Sequence, residues 1–296
     1  MEKILKYLRD SIHKQEYFSE KGCALISSIQ KLIVRERIII REDKHITIPG
    51  CQIWMINDET INAFSTKIDD EYWVFINKGV VEDQKIYLES LDWGFVQNGK
   101  EEYIDDLIKY GFYFMAFHEY AHIYCGHTDA RLQDNRDKRS QEYEADMFAM
   151  DYLIKYILHN TETDIWQSEL EKLFIAIYFL LEKMQKQDYR EFYNDKLMQN
   201  YYDPERINKR DHPLDAQRML YLYEMINIII VTDGIKLLPV KENILQKLIS
   251  IKKLTDVNIP HREYDYRVVN ESVQSLKSSL QEIRKKIPRI NFESEN

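Results

Sequence analysis

The run Phe112-Tyr113-Phe114-Met115-Ala116-Phe117 leads straight into His118-Glu119-Tyr120-Ala121-His122. A helix this apolar around its circumference is surrounded by protein, not half solvated. Two imidazoles and a carboxylate carried into such surroundings are costly to bury without partners, and a metal ion would satisfy all three. Residues four apart on an α-helix lie on one face, a turn apart, so His118 and His122 aim at one point. Tetrahedral zinc requires nitrogens converging in that way, at about 2.0–2.1 Å each. Glu119 leans toward the same point and is placed to take a proton from an activated water. The bland reading of these letters, an i,i+4 histidine pair beside a surface glutamate, does not explain the apolar flanks. The helix is expected over Glu101 to His127, with Gly126 as its stop.

A tetrahedral site needs a third protein ligand, and the next segment supplies carboxylates. The stretch 128–139 is almost wholly polar and is expected to be a surface loop. A second helix follows from Ser140, a suitable N-cap, to His159. Glu142 and Asp146 on it are one turn apart and share a face, with Glu144 as a competing ligand. Acidic residues near a helix start also favour the macrodipole without binding anything. The longer HExxHxxGxxH pattern would put glycine at 125 and histidine at 128. Cys125 and Thr128 stand there, so the chain is not a metzincin. No EGCLS-like segment precedes the motif, which removes the deformylase reading.

With HExxH followed by ExxxD, the chain resembles the gluzincins, the thermolysin-like zinc peptidases. That resemblance implies Zn2+ held by His118, His122 and Glu142, with Glu119 as catalytic base. It also implies that Asp146 accepts a hydrogen bond from the far nitrogen of a ligating histidine, His118, fixing its tautomer. Asp211-His212-Pro213, with Arg218 downstream, resembles the HP…R segment of the HtpX and CaaX-prenyl-protease group. There the histidine faces the substrate and stabilises the tetrahedral oxyanion. By that likeness His212 is catalytic and Arg218 supports the local structure. His-Pro is equally an ordinary helix start with proline in the first turn.

Upstream, Asn62-Ala63-Phe64 and the strand Tyr72 to Gly79 are similar to the segment of the same peptidases whose edge strand pairs with an extended substrate. A core strand with two buried aromatics would look the same. The flanks HEYAHIYCGH, SQEYEADMFAMDYLI and DHPLDAQRM resemble the Lit-type phage-exclusion peptidases. Those are soluble cytoplasmic bacterial proteins that cleave a translation elongation factor in infected cells. The ImmA/IrrE-type peptidases, which share HExxH plus a downstream glutamate and usually carry Asn where Asp146 stands, are a second family the motifs allow.

Composition sets the frame for this reading. Only 8 Gly and 6 Pro accompany 44% hydrophobic residues, which suits an ordered, helix-rich globule. A net charge of -9 without a basic block argues against nucleic acid as a partner. Three scattered cysteines, Cys23, Cys51 and Cys125, fit a reducing compartment. Cys125 reads as a small apolar filler, although it could reach a metal. His127 reads as a capping or surface residue, and His13, His45, His159 and His261 as structural or exposed.

The N-terminus lacks the apolar core of a signal peptide. No apolar run approaches the ~20 residues that span a bilayer. The expectation is therefore a cytoplasmic protein with no membrane partner.

The predicted fold is α+β: a mostly helical, zincin-like catalytic domain with a small antiparallel sheet before the HExxH helix. The strands are expected at Ile38–Ile40, Ile46–Ile48, Ile53–Ile56 and Tyr72–Ile76. Helices are expected near 3–34 (two), 164–187, 213–231, 241–253 and 263–286. Boundaries are placed at 1–34 for an N-terminal helical segment, 35–231 for the peptidase domain and 232–296 for a C-terminal helical extension. The implied activity is hydrolysis of a peptide bond in a protein substrate by metal-activated water, in phage exclusion or a stress response. A protease in the cytoplasm needs restraint, which an activating partner would lift. The competing reading is a catalytically silent zinc-binding interaction or regulatory protein.

Overall fold

The computed structural model describes residues 19–44, 50–130, 132, 134–192, 212–213, 215–232, 240–252 and 263–286. The first expected helix, the strand Ile46–Ile48, and His13, His45 and His261 lie outside them. Eight helices and three strands are described: α1 (Glu20–Lys44), β1 (Cys51–Ile56), β2 (Ala63–Ile68), β3 (Glu71–Asn77), α2 (Glu82–Glu89), α3 (Lys100–Tyr124), α4 (Asn135–Asn160), α5 (Trp166–Phe192), α6 (Asp215–Thr232), α7 (Val240–Ile251) and α8 (Glu263–Lys286). Ile38–Ile40, expected as a strand, continues α1 instead. A short β-branched run does not distinguish a strand from a helical turn.

The sheet is small and mixed, with strand order β1-β3-β2. β2 and β3 form an antiparallel hairpin with Ile68 opposite Glu71. Asp69 and Asp70, between them, both have positive φ (49° and 66°), the conformation of a two-residue type I′ turn. β1 instead runs parallel to β3, with Cys51 opposite Tyr72 and Ile56 opposite Asn77. The expected all-antiparallel sheet is thus corrected. Alternation specifies which face a strand buries, not which strand lies beside it. The connection 57–62 crosses the end of β3 because Asn77 N–H donates to Asn62 O (3.0 Å) and Gly79 N–H to Asp58 O (3.1 Å). Asn77 Nδ2 also donates to Thr60 Oγ1 at 2.8 Å. Glycine is required at 79, since a Cβ there would meet Glu59 O at 2.1 Å.

α3 is the central element. Every residue from Tyr110 to Ala121 is buried, packed among α4, α5 and the sheet. Its C-terminus is a Schellman motif: Gly126 has φ +75°, His127 N–H donates to His122 O at 2.8 Å, and Gly126 N–H to Ile123 O at 3.0 Å. α4 starts five residues before the expected Ser140, because Asp134 caps it. The Asp134 carboxylate accepts from Arg136 N–H at 2.7 Å, and Ser140 sits inside the helix with its hydroxyl donating to Arg136 O at 2.9 Å. Much of the expected loop is therefore helix.

One continuous apolar core runs from Leu25 and Ile29 of α1, through α3 and α5, to Val273 and Leu276 of α8. Among the described residues no helix is long and apolar enough to cross a membrane.

Candidate metal centre

α3 and α4 pack side by side, and their facing surfaces carry the polar residues. His118 Nε2 and His122 Nε2 lie 3.1 Å apart. One Glu142 oxygen lies 3.2 Å from His118 Nε2 and the other 3.4 Å from His122 Nε2. Four ligands at about 2.0–2.1 Å around a tetrahedral ion are separated by roughly 3.3–3.4 Å. The three groups therefore already stand at the edge lengths of such a polyhedron. Glu119, also buried, offers a carboxylate oxygen within 4.8 Å of both imidazoles.

Asp146 is fully buried behind this group. Its Oδ1 lies 2.8 Å from His118 Nδ1, and it accepts from Arg218 Nε and Nη2 at 2.7 and 2.6 Å. Tyr221 OH makes a further short bond to it. A neutral His118 with its proton on Nδ1, toward Asp146, would turn the Nε2 lone pair to His122 and Glu142. His122 Nδ1 faces His127 Nδ1 at 3.0 Å, and His127 Nε2 faces Glu144 at 3.0 Å. Two imidazole nitrogens and a carboxylate converging on one small volume call for a positive charge, which a bound metal or a second proton on His118 supplies. The donor set, two imidazoles and a carboxylate, suits zinc.

Electrostatics express the same crowding. Burial alone would lower the pKa of His118, but Asp146 and Glu142 outweigh it and raise it to about 10. Burial pushes His122 down. It pushes His127 well down, helped by His122 and the Arg284 guanidinium, so His127 is neutral. Burial acts to raise Glu142, yet His122, His118 and His212 hold it well below the carboxylate range. Burial likewise opposes the ionised form of Asp146, and Arg218 and His118 lower it nonetheless.

The site opens into a cavity of about 310 Å³ whose lining includes Glu119, Glu142, His212, Asn62, Ala63, Phe64 and Ser65. The last three belong to β2, whose outer edge has no strand partner among the described residues. His212 is exposed, with Nε2 3.7 Å from Glu142. The structure thus gathers His118, Glu119, His122, Glu142, His212, Arg218 and Asn62–Phe64 around one space, with Asp146 buried behind it. A larger groove of about 680 Å³ between α1 and β1 is lined by Ile26, Gln30, Val34 and Ile53, away from these groups.

Three participants were not anticipated. His127 is not at the surface: it is 6% exposed and touches His122. The legible signal was Gly126, because the residue after a Schellman glycine folds back on the last turn. Tyr221 falls three positions after Arg218, on the same face of α6, which could have marked it. Arg284, whose guanidinium contacts Glu144, His127 and Cys125 O, left no local signal. Cys125, His127 and Glu144 could be taken for a second metal-binding group, with ligand atoms within 4.8 Å of one another. The Arg284 guanidinium already supplies the cation there, so we read them as a hydrogen-bonded cluster. His159 is exposed and bonds Lys155 O.

The model of one known family, Peptidase U49, matches residues 82–228, from α2 into α6 and including His118 to Arg218. No curated protein and no solved structure matches the chain. With the HExxH helix, the acidic helix beside it and the HP…R segment all inside the matched region, the chain belongs to the Peptidase U49 family and is a metallopeptidase.

Proposed function

We propose that the protein is a zinc-dependent endopeptidase, with His118, His122 and Glu142 holding the ion. The observation that carries this reading is the spacing of the two Nε2 atoms and the Glu142 carboxylate, 3.1, 3.2 and 3.4 Å. When bound, zinc acidifies a water and polarises the scissile carbonyl.

The remaining chemistry belongs to the chain. Glu119 takes a proton from the attacking water and returns it to the leaving amine. Asp146, held by Arg218 and Tyr221, keeps the proton of His118 on Nδ1. His212, on the open side of the cavity, donates to the oxyanion as the tetrahedral species forms. The free edge of β2 at Asn62-Ala63-Phe64 pairs with an extended substrate backbone and lays the scissile bond across the cavity. The sequence likeness to Lit-type peptidases favours a cytoplasmic protein substrate and a place in phage exclusion.

The test is to express wild type and Glu119→Gln, measure bound zinc, and map new N-termini in the cell proteome. Glu119→Gln should keep stoichiometric zinc and generate no new N-termini. Turnover retained by this variant would remove Glu119 from the base role. Glu142→Ala should lower zinc occupancy, and unchanged zinc there with loss in Glu144→Ala would reassign the ligand.

A further inference from the structure

We propose that Arg284, on the C-terminal helix α8, is a positioning residue for the metal centre: through Glu144 and His127 it sets which ring nitrogen of His122 carries the proton. The inference rests on the zinc reading above, but α8 lies outside the segment matched by the family.

The chain of contacts is continuous. Arg284 Nε donates to Glu144 Oε1 at 2.9 Å, and Nη2 pairs with the other oxygen. Its Nη1 donates at 2.9 Å to Cys125 O, at the end of the motif helix. Glu144 Oε2 lies 3.0 Å from His127 Nε2, and His127 Nδ1 lies 3.0 Å from His122 Nδ1. Two proton arrangements are conceivable for a neutral His127. In one, His127 Nε2–H donates to Glu144, leaving Nδ1 to accept from His122 Nδ1–H. His122 Nε2 is then a bare lone pair directed at His118 and Glu142. In the other, Arg284 Nη2 donates to His127 Nε2 across 3.1 Å. His127 Nδ1–H would then donate to His122, and His122 Nε2 would carry a proton and be unable to bind a metal.

Glu144 decides between them. An unprotonated His127 Nε2 would face a carboxylate oxygen at hydrogen-bond distance, acceptor against acceptor. The first arrangement removes that repulsion; Arg284 Nη2 then gives up its bond to His127 Nε2 and keeps its pairing with the Glu144 oxygen that His127 also reaches. Arg284 keeps Glu144 in place by gripping both of its oxygens. The relay on His122 thereby mirrors the Asp146–Arg218 pair behind His118: each imidazole is backed by a carboxylate clamped by an arginine, with His127 interposed in one case. α8 is placed by its packing along α4 and α6; Ser279 adds one bond, to Asp137 Oδ1 at 2.8 Å on the first turn of α4, that is not part of the relay.

The experiment compares the zinc dissociation constant of full-length variants by chelator competition, with thermal unfolding of the metal-stripped proteins as a folding control. Arg284→Ala and His127→Ala should each weaken zinc binding by about 10–100-fold, the range typical for loss of a partner behind a metal ligand. Because Arg284 acts through His127, the double variant should be no weaker than His127→Ala alone. Ser279→Ala, which removes one α8–α4 bond outside the relay, should leave the constant unchanged. If Arg284→Ala does not fold, Arg284→Gln keeps the stem and should weaken binding in the same direction. Unchanged affinity in the folded Arg284 variant, additive losses in the double variant, or an equal loss in Ser279→Ala would each overturn the proposal. A wild-type protein that binds no zinc would instead defeat the zinc reading itself, and the relay with it.

Discussion

Replacing Asp146 by alanine should separate its two roles. The carboxylate is fully buried, lies 2.8 Å from His118 Nδ1, and accepts from Arg218 Nε and Nη2 and from the Tyr221 hydroxyl. Arg218 is itself 6% exposed, so Asp146→Ala leaves a guanidinium without its counter-charge in the interior. Breaking a buried pair from one side costs about 3–5 kcal/mol. At about 2–4 °C per kcal/mol for a chain of this size, that lowers the melting temperature of the metal-stripped protein by roughly 6–20 °C. Adding Arg218→Met removes the orphaned charge and should recover about half of the loss; the unpartnered Tyr221 hydroxyl accounts for about 1–3 kcal/mol of the remainder. Zinc affinity should behave differently. It should fall about 10–100-fold in Asp146→Ala and stay low in the double variant, because neither protein orients His118. Thermal melts of stripped protein and chelator competition read the two effects independently. Stability that fails to recover in the double variant would refute the unpaired-charge argument. Zinc affinity that recovers along with stability would refute the claim that Asp146 acts through His118.

Two further predictions concern the scaffold. Gly111, inside buried α3, has nothing closer than 4.0 Å to where a Cβ would sit, so Gly111→Ala should raise stability by about 0.5–1 kcal/mol. Gly79→Ala should lower it by about 1–3 kcal/mol, since the new carbon collides with Glu59 O; urea midpoints check both signs. The Asp106–Lys172 bond, 2.7 Å, ties α3 to α5. Burial works against both charges, yet Lys172 lowers the pKa of Asp106, and Asp106 and Glu169 raise that of Lys172. The share from Asp106 is fully present above about pH 4 and lost as pH falls through its depressed value. The share from Lys172 is fully present below about pH 10 and lost as pH rises through its raised value. Lys172→Met should therefore cost about 1 kcal/mol or less at neutral pH and flatten both limbs of the urea stability profile. Unchanged limbs would show that this pair contributes nothing.

Local periodicity made most of the helical architecture legible. α3, α5, α6, α7 and α8 lie close to where apolar spacing and caps place them, because those signals operate within a few turns of chain. The errors arose where local signals tie. Ile38–Ile40 suits either a strand or a helical turn, and here it continues α1. Ser140 and Asp134 both make good caps; the chain used the earlier one and returned the serine hydroxyl to its own backbone. The parallel pairing of β1 with β3 follows from a connection whose backbone bonds reach 57–62 across the end of β3, which alternation does not encode.

The sequence by itself determined which side chains share a helix face: His118 with His122, and Glu142 with Asp146. A period of 3.6 residues is a property of the backbone and needs no neighbours. Only the tertiary structure decided which helix faces meet, setting the Glu142 oxygens 3.2 and 3.4 Å from the two imidazoles and bringing Arg284 of α8 against Glu144. Contacts between residues far apart in the chain depend on how whole surfaces pack, and no spacing rule carries that information. The arginine-clamped carboxylates behind the two histidines therefore emerged only once the chain was folded.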